Sequence, residues 1–215
     1  MSKPSFLRAR RPEHKEQRRV AILAAAEELA ATSGVRRVSL GQVADVVGLA
    51  KSNVVRYFGT REEIFLALGA IQWRAWAEDV TDRLAHEADV VAALTEPFAD
   101  RPLLCDLLGQ LSSTVEHNVS LTAAYEFKST VHAINADVAA AILRARPDLT
   151  EKEATDLVGA ALTISGALYP IAHPPATIAA LYEQHPELAA ACPSFLPTLQ
   201  RVLAALVAGL PTLRD

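Results

Sequence analysis

GLAKSNVVRYFGTREEIF, residues 48–65, holds two short helical fragments that mix apolar and basic side chains, each preceded by a glycine. It contains no obvious catalytic residue. Just upstream, Ser39 is followed three residues later by Gln42, a capping-box pattern that starts a short helix from Leu40 to about Val47. Leu40, Val43, Ala44 and Val47 form its buried face. Gly48 supplies a turn residue able to adopt positive φ, and a second helix follows over about Lys51 to Tyr57. Leu49 and Val54 anchor that helix, which leaves Lys51, Ser52, Asn53, Val55, Arg56 and Tyr57 exposed. Upstream again, residues 15–34 place Ile22, Leu23, Ala26, Leu29 and Ala30 on one helical face, and Gly34 closes the helix. Three helices sharing one buried face, the last two joined by a tight turn, match the helix-turn-helix layout whose second helix enters the major groove. Asn can read adenine, Val55 can meet a thymine methyl, and Lys, Ser, Arg and Tyr can hold phosphates or base edges. On this local pattern alone, a solvated corner of a helical core stays open.

The charge distribution favours the nucleic-acid reading. Residues 1–66 carry 12 Lys/Arg against 7 Asp/Glu, while the remainder carries 9 against 18. A basic head on an acidic body suits a protein of which one end meets a polyanion. The 215 residues are 51% apolar, rich in alanine, and therefore fold into a helical core rather than staying disordered. With no signal peptide or membrane span evident, a cytoplasmic protein is expected. Cys105 and Cys192 are expected as free thiols. His117, His132 and His173 form no ligand spacing, so neither a metal nor a cofactor is expected.

Beyond Gly59, Thr60 and Glu63 form a second capping box for a long helix from Arg61 to about Ala88. Its apolar stripe is Ile64, Phe65, Leu68, Ile71, Ala75 and Trp76. Helical patterns then cover about 102–116, 120–145 and 151–169. Six prolines within 170–197 exclude one continuous helix there, leaving a short one within 176–184. The last helix covers about 196–210. No alternating strand and no phosphate-binding glycine loop is present, so the fold class is all-α, with about nine helices. The expected domains are a flexible basic arm over 1–14, a helix-turn-helix head over 15–60 and a helical body over 61–215.

The stretch ILAAAEELAATSGVRRVSLGQVADVVGLAKSNVVRYFGTREEIF, residues 22–65, resembles the DNA-binding domain of the TetR family of one-component bacterial transcriptional regulators. The Ser39 start, Val43-Ala44, the Gly48-Leu49 turn, Arg56-Tyr57-Phe58, and Thr60 with Glu62-Glu63 and Phe65 carry the likeness. The resemblance implies a homodimer whose heads bind consecutive major grooves of a pseudo-palindromic operator. It implies Lys51 and Tyr57 as phosphate contacts and Ser52, Asn53 and Val55 as groove-facing residues. Phe58 becomes the anchor between the head and the long helix. Thr60 becomes its cap, with a backbone N–H for phosphate. Ser39 and Arg56 complete the DNA-binding set; Val43, Ala44, Gly48 and Leu49 belong with Phe58 in the head core. Arg8, Arg10, Arg11, Lys15, Arg18 and Arg19 could add phosphate or minor-groove contacts. Two positions depart from the family: Ala50 stands where a serine usually caps the reading helix, and Val55 where a tyrosine is frequent.

In the body, Leu157, Ala161, Ile164 and Leu168 on one helix and Leu199, Leu203 and Leu206 on the last form apolar stripes. They suit a four-helix seam with a twofold mate, or else the internal core of one chain. The family builds its dimer by such a seam. Its effector pocket implies a small-molecule ligand enclosed by the middle helices, with Trp73, Trp76, Phe98, His117, Asn118, Tyr125, Lys128 and His132 as candidate lining. Each of those residues also reads as a core aromatic or a solvated polar group. The function implied is a ligand-responsive regulator, a repressor more often than an activator, and not an enzyme. A helical enzyme, or an adaptor retaining the helix-turn-helix as scaffold, are the rival readings.

Overall fold

The structure, a computed structural model, describes residues 10–86, 89–111 and 115–214. Among the described residues the chain is all-helical, with eleven α-helices and no strand. The head comprises α1 (Arg10–Ser33), α2 (Leu40–Val46) and α3 (Lys51–Phe58). Ile22, Ala25, Ala26 and Ala30 of α1 bury against Val43 and Ala44 of α2 and Val54 and Phe58 of α3. The expected flexible arm over 1–14 is helical from Arg10 onward; residues 1–9 lie outside the described residues.

α4 (Arg61–Ala85) leaves the head and becomes the central strut of the body. Ile64, Phe65, Leu68, Trp76 and Val80 are fully or almost fully buried along it, whereas Ile71, expected in its apolar stripe, is half exposed. α5 (Val90–Thr95) and α10 (Pro186–Ala189), each only a turn or two long, are helices that periodicity did not reveal. α6 is Pro102–Gln110, ending short of the expected residue 116; a separate 3-10 turn covers Val115–Asn118. α7 (Leu121–Ala145) runs beside α4 in the same direction, joined to it by the Trp73 indole donating to Asn135 Oδ1 at 2.8 Å. α8 (Glu151–Ala172), α9 (Ala176–Gln184) and α11 (Phe195–Gly209) complete the body.

α8 continues through Pro170, three residues past its expected end. Proline has no N–H for the carbonyl four residues earlier, that of Gly166. α6 crosses α8 on this carbonyl, so closely that a Cβ on Gly109 would lie 2.8 Å from the Gly166 oxygen. A Cβ on Gly166 would in turn lie 2.8 Å from the Leu108 carbonyl carbon. Glycine is required on both sides of this crossing because backbone, not a movable side chain, occupies the space.

Candidate nucleic-acid interface

The reading helix is placed by what it hides. Val54 and Phe58 are buried in the head, while Lys51, Ser52, Asn53, Val55 and Arg56 are exposed and Tyr57 is half-buried. Gly48 makes the turn at φ 65°, and the Leu49 N–H returns to the Ala44 carbonyl at 2.9 Å, closing α2 against α3. Leu49 is half-buried behind the turn. Ala50 occupies the N-cap of α3 with no side-chain hydrogen bond, so the roughly 1 kcal/mol of a serine or asparagine cap is missing. At α2 the full capping box forms. Ser39 Oγ accepts from Gln42 N at 3.2 Å, and Ser39 N donates to Gln42 Oε1 at 2.8 Å. Both polar groups of Ser39 are therefore engaged in the cap, while the residue stays exposed at the head surface.

Lys15 of α1 lies beside the reading helix. Lys15, Leu49, Asn53, Arg56 and Tyr57 line one cleft of about 510 Å³ on the exposed side of the head. Arg18 is exposed. Arg19 is engaged within the head instead. Its guanidinium sits 4.2 Å from the Phe58 ring centroid and donates to the Tyr57 carbonyl at 3.4 Å. It fastens α1 to the end of α3 through a cation–π contact rather than reaching outward. Arg8 lies outside the described residues, as do the side chains of Arg10 and Arg11.

Thr60 corrects an expectation. Its hydroxyl caps α4, accepting from Glu63 N at 3.1 Å, but its own N–H donates to the Phe58 carbonyl at 2.6 Å and is not free for phosphate. Glu63 does not close the expected capping box either. Its Oε1 accepts from Ser120 N at 2.9 Å, and neighbouring Glu62 accepts from Asn118 Nδ2 at 3.2 Å. The first turn of α4 thus commits its carboxylates to the segment Asn118–Ser120 that leads into α7. A second tie joins the α1–α2 connection to the body. Arg61 donates to the carbonyls of Val35 and Val38, and the Val35 N–H donates to Asp106 Oδ2 of α6 at 2.7 Å. Arg61 and Asp106 carried no recognisable sequence signal, because each acts on main-chain groups brought near only by the fold.

The eight side chains considered for an effector pocket do not share one cavity. Trp76 and Phe98 are fully buried and stacked at 5.3 Å, with the Trp76 indole donating to the Leu94 carbonyl, so both belong to the core. Trp73 is buried edge-on to Phe127. His117, Asn118, Tyr125, Lys128 and His132 are exposed, and Lys128 pairs with Glu116 at 2.6 Å. Tyr125, Lys128 and His132 face outward because Phe127, Val131, Ile134 and Val138 take the inward face of α7. The space available lies instead along the α4–α7 boundary. One groove of about 710 Å³ has Ala77, Ile134 and Ala140 in its lining and carries both signs of charge, Arg74 and Arg144 with Glu78, Asp82 and Asp137. Another of about 490 Å³ runs between head and body past Leu23, Phe58, Leu66 and Phe127.

The apolar stripes expected at a dimer seam are likewise occupied. Leu157, Ala161, Leu199 and Leu203 are fully buried within the chain and Leu168 nearly so, where α8 and α11 pack on each other; Ile164 and Leu206 are half-buried. Between α4 and α6, Asp79 accepts from Arg83 at 2.7 Å and Arg101 at 3.1 Å, which together hold its carboxyl below the usual range against the opposing effect of burial. Burial pushes the Cys105 thiol up to about 12, leaving it protonated and inert. Among the described residues no three His, Cys, Asp or Glu side chains cluster as metal ligands.

Two family models divide the chain at α4. Residues 22–68 match that of bacterial regulatory proteins of the tetR family, and residues 71–214 match the tetracyclin repressor-like C-terminal domain. The chain belongs to the TetR family. TetR-family proteins are transcription regulators, and the head described above is their DNA-binding helix-turn-helix. No curated protein is similar enough in sequence to match. Solved structures share the TetR fold. The TetR-family transcriptional repressor FadR of Thermus thermophilus, in complex with lauroyl-CoA, is 17% identical with a TM-score of 0.57, covering 92% of this chain and 96% of its own. A possible TetR-family regulator from Streptomyces coelicolor is 15% identical, TM-score 0.60, covering 91% and 100%. The fatty acid degradation regulator FadR from Bacillus halodurans is 11% identical, TM-score 0.55, covering 88% and 97%. In this TetR-family chain the two matched segments meet inside one continuous helix, so α4 is physically shared by head and body.

Proposed function

We propose that this chain is a ligand-responsive, non-enzymatic transcriptional repressor that binds a pseudo-palindromic operator as a homodimer. The observation that carries the reading is the division of α3. Its inward side is fixed by Val54 and Phe58, and its outward side offers Lys51, Ser52, Asn53, Val55 and Arg56 to a groove. Lys51, Arg56 and Tyr57 hold phosphates, with Lys15 beside them, while Ser52, Asn53 and Val55 face bases. Selection from random duplexes tests this directly: a palindromic consensus is expected, and uniform binding to all sequences, or none, refutes it.

The twofold seam uses the outer faces of α8 and α11, since their inner stripes are spent. Gly159, Thr163 and Ala167 on α8 and Ala204, Ala205 and Ala208 on α11 are exposed, and small residues permit close helix approach. By length and composition α8 and Phe195–Leu213 are apolar enough to cross a membrane, yet only 44% and 17% of those windows are buried in one chain. A second copy covers the remainder. Sedimentation should give a dimer that Ala205→Glu converts to monomer.

The effector acts on α4 from the groove bounded by α7, whose lining sets Arg74 and Arg144 among Glu78, Asp82 and Asp137, with Ala77 and Ile134 as its apolar surface. Lauroyl-CoA, the ligand of the Thermus protein of the same fold, is the first compound to try. A rise in Tm and loss of duplex binding are expected; the absence of both removes acyl-CoA from consideration.

A further inference from the structure

We infer that Asp106 is a positioning residue for the reading helix: it latches the head to α6 through the Val35 N–H, independently of the α4 strut. Val35 sits in the turn that joins α1 to α2, and its side chain is fully buried. Its N–H donates to Asp106 Oδ2 at 2.7 Å across 71 residues of sequence. Its carbonyl and that of Val38 accept from Arg61 at the start of α4. The turn is therefore gripped from two sides by two different body elements. Asp106 is itself held in place, because its other oxygen accepts from Gln110 Nε2 at 2.6 Å one helical turn away.

The helix behind the latch is rigidly seated. α6 meets α8 at the glycine crossing, where neither Gly109 nor Gly166 has room for a Cβ. A displacement of α8 or α6 thus reaches Asp106 without a soft side chain to absorb it. From Asp106 it passes to the turn preceding Ser39, which begins the supporting helix α2, and α2 fixes α3 through the Leu49–Ala44 hydrogen bond. An acceptor on a charged group gives this one main-chain bond more strength than a neutral pair. Two grips on one turn also make the head angle depend on the spacing of α4 and α6.

The consequence for DNA rests on the DNA-binding reading above, and the test separates the two. Hydrogen exchange on the full-length protein compares wild type with Asp106→Ala and Asp106→Asn, the latter retaining an oxygen acceptor. Val35 should exchange at least tenfold faster in Asp106→Ala and near the wild-type rate in Asp106→Asn, with α4 and α8 amides unchanged. Labels at Arg36→Cys and Lys152→Cys, in a Cys192→Ser chain diluted with unlabelled protein, should report a shifted or broadened head-to-body distance in the alanine variant only. On a duplex recovered by selection, Asp106→Ala should bind about tenfold more weakly with an unchanged salt slope, since no phosphate contact is lost, and Asp106→Asn should restore affinity. Unchanged Val35 exchange, or an unchanged distance despite faster exchange, overturns the latch. If Asp106→Ala unfolds throughout, Asp106→Ser, which is shorter but still polar, carries the same comparison. Failure of wild type to select any duplex overturns the DNA-binding reading, and the exchange and distance measurements then decide the latch alone.

Discussion

Head and body are built from the same kind of helix, yet they answer to different constraints. In the head, nearly every side chain on α2 and α3 has one possible direction. Two short helices against α1 form so small a core that Val43, Ala44, Val54 and Phe58 fill their side of it, and what remains of α2 and α3 faces solvent or is only partly covered. In the body, a helix such as α8 is apolar over much of its surface and has several neighbours. Its sequence states that it will be covered, not by what. The difference teaches that burial patterns identify a surface reader more readily than a seam or a pocket.

The body should be the more easily broken of the two. Gly166→Ala drives a methyl to 2.8 Å from the α6 backbone, and should cost about 3 kcal/mol of stability by urea denaturation while leaving the head's base preference intact. If the variant instead is neutral, the α6–α8 crossing is not the rigid element described. A head substitution should do the reverse: Lys51→Ala should weaken duplex binding about tenfold, or about 1.4 kcal/mol, across all sequences, with Tm unchanged. Ser39→Ala sharpens the comparison from within the head. Loss of its reciprocal cap should lower stability by about 1 kcal/mol, with DNA affinity following only through α2.

The smallest effect lies at the far end of the body. Arg214 donates to Glu153 and, aided by the Thr150 N–H, holds its carboxyl down to about 2, against an ordinary value of 4.5. This tie between the C-terminal segment and the start of α8 is fully present above pH 4.5 and is lost as pH falls toward 2. Arg214→Ala should raise the Glu153 titration toward 4.5 in a carboxyl NMR experiment and leave DNA binding at neutral pH untouched.

Much of this architecture was legible in residues. The Ser39–Gln42 box, the Gly48 turn and the uncapped Ala50 appear in the structure as the sequence implied, because local geometry and capping chemistry are nearest-neighbour matters. The extent of α1 was not legible: residues 10–14 mix a proline with charges, yet Pro12 lies in the first turn, where its missing N–H costs nothing. Leu157, Ala161, Leu199 and Leu203 were recognisable as buried, but α8 and α11 choose each other before any partner. Tyr125, Lys128 and His132 are candidate pocket lining by sequence, but only the packing of Phe127 and Val131 decides which way they face. Glu63 looked like half of a capping box; the approach of Ser120, 57 residues later, claims it. Interactions that depend on where distant segments meet leave no periodic trace.

The central claim is that α3 reads bases with its middle and holds phosphates at its ends. Base-preference profiles of wild type, Lys51→Ala and Asn53→Ala over a library of duplexes, at two salt concentrations, test it most directly. The account predicts a lower salt slope with an unchanged preference for Lys51→Ala, and a relaxed preference at one symmetric base position with an unchanged slope for Asn53→Ala. Identical profiles for all three proteins, or a preference that moves with Lys51 and not with Asn53, would contradict it.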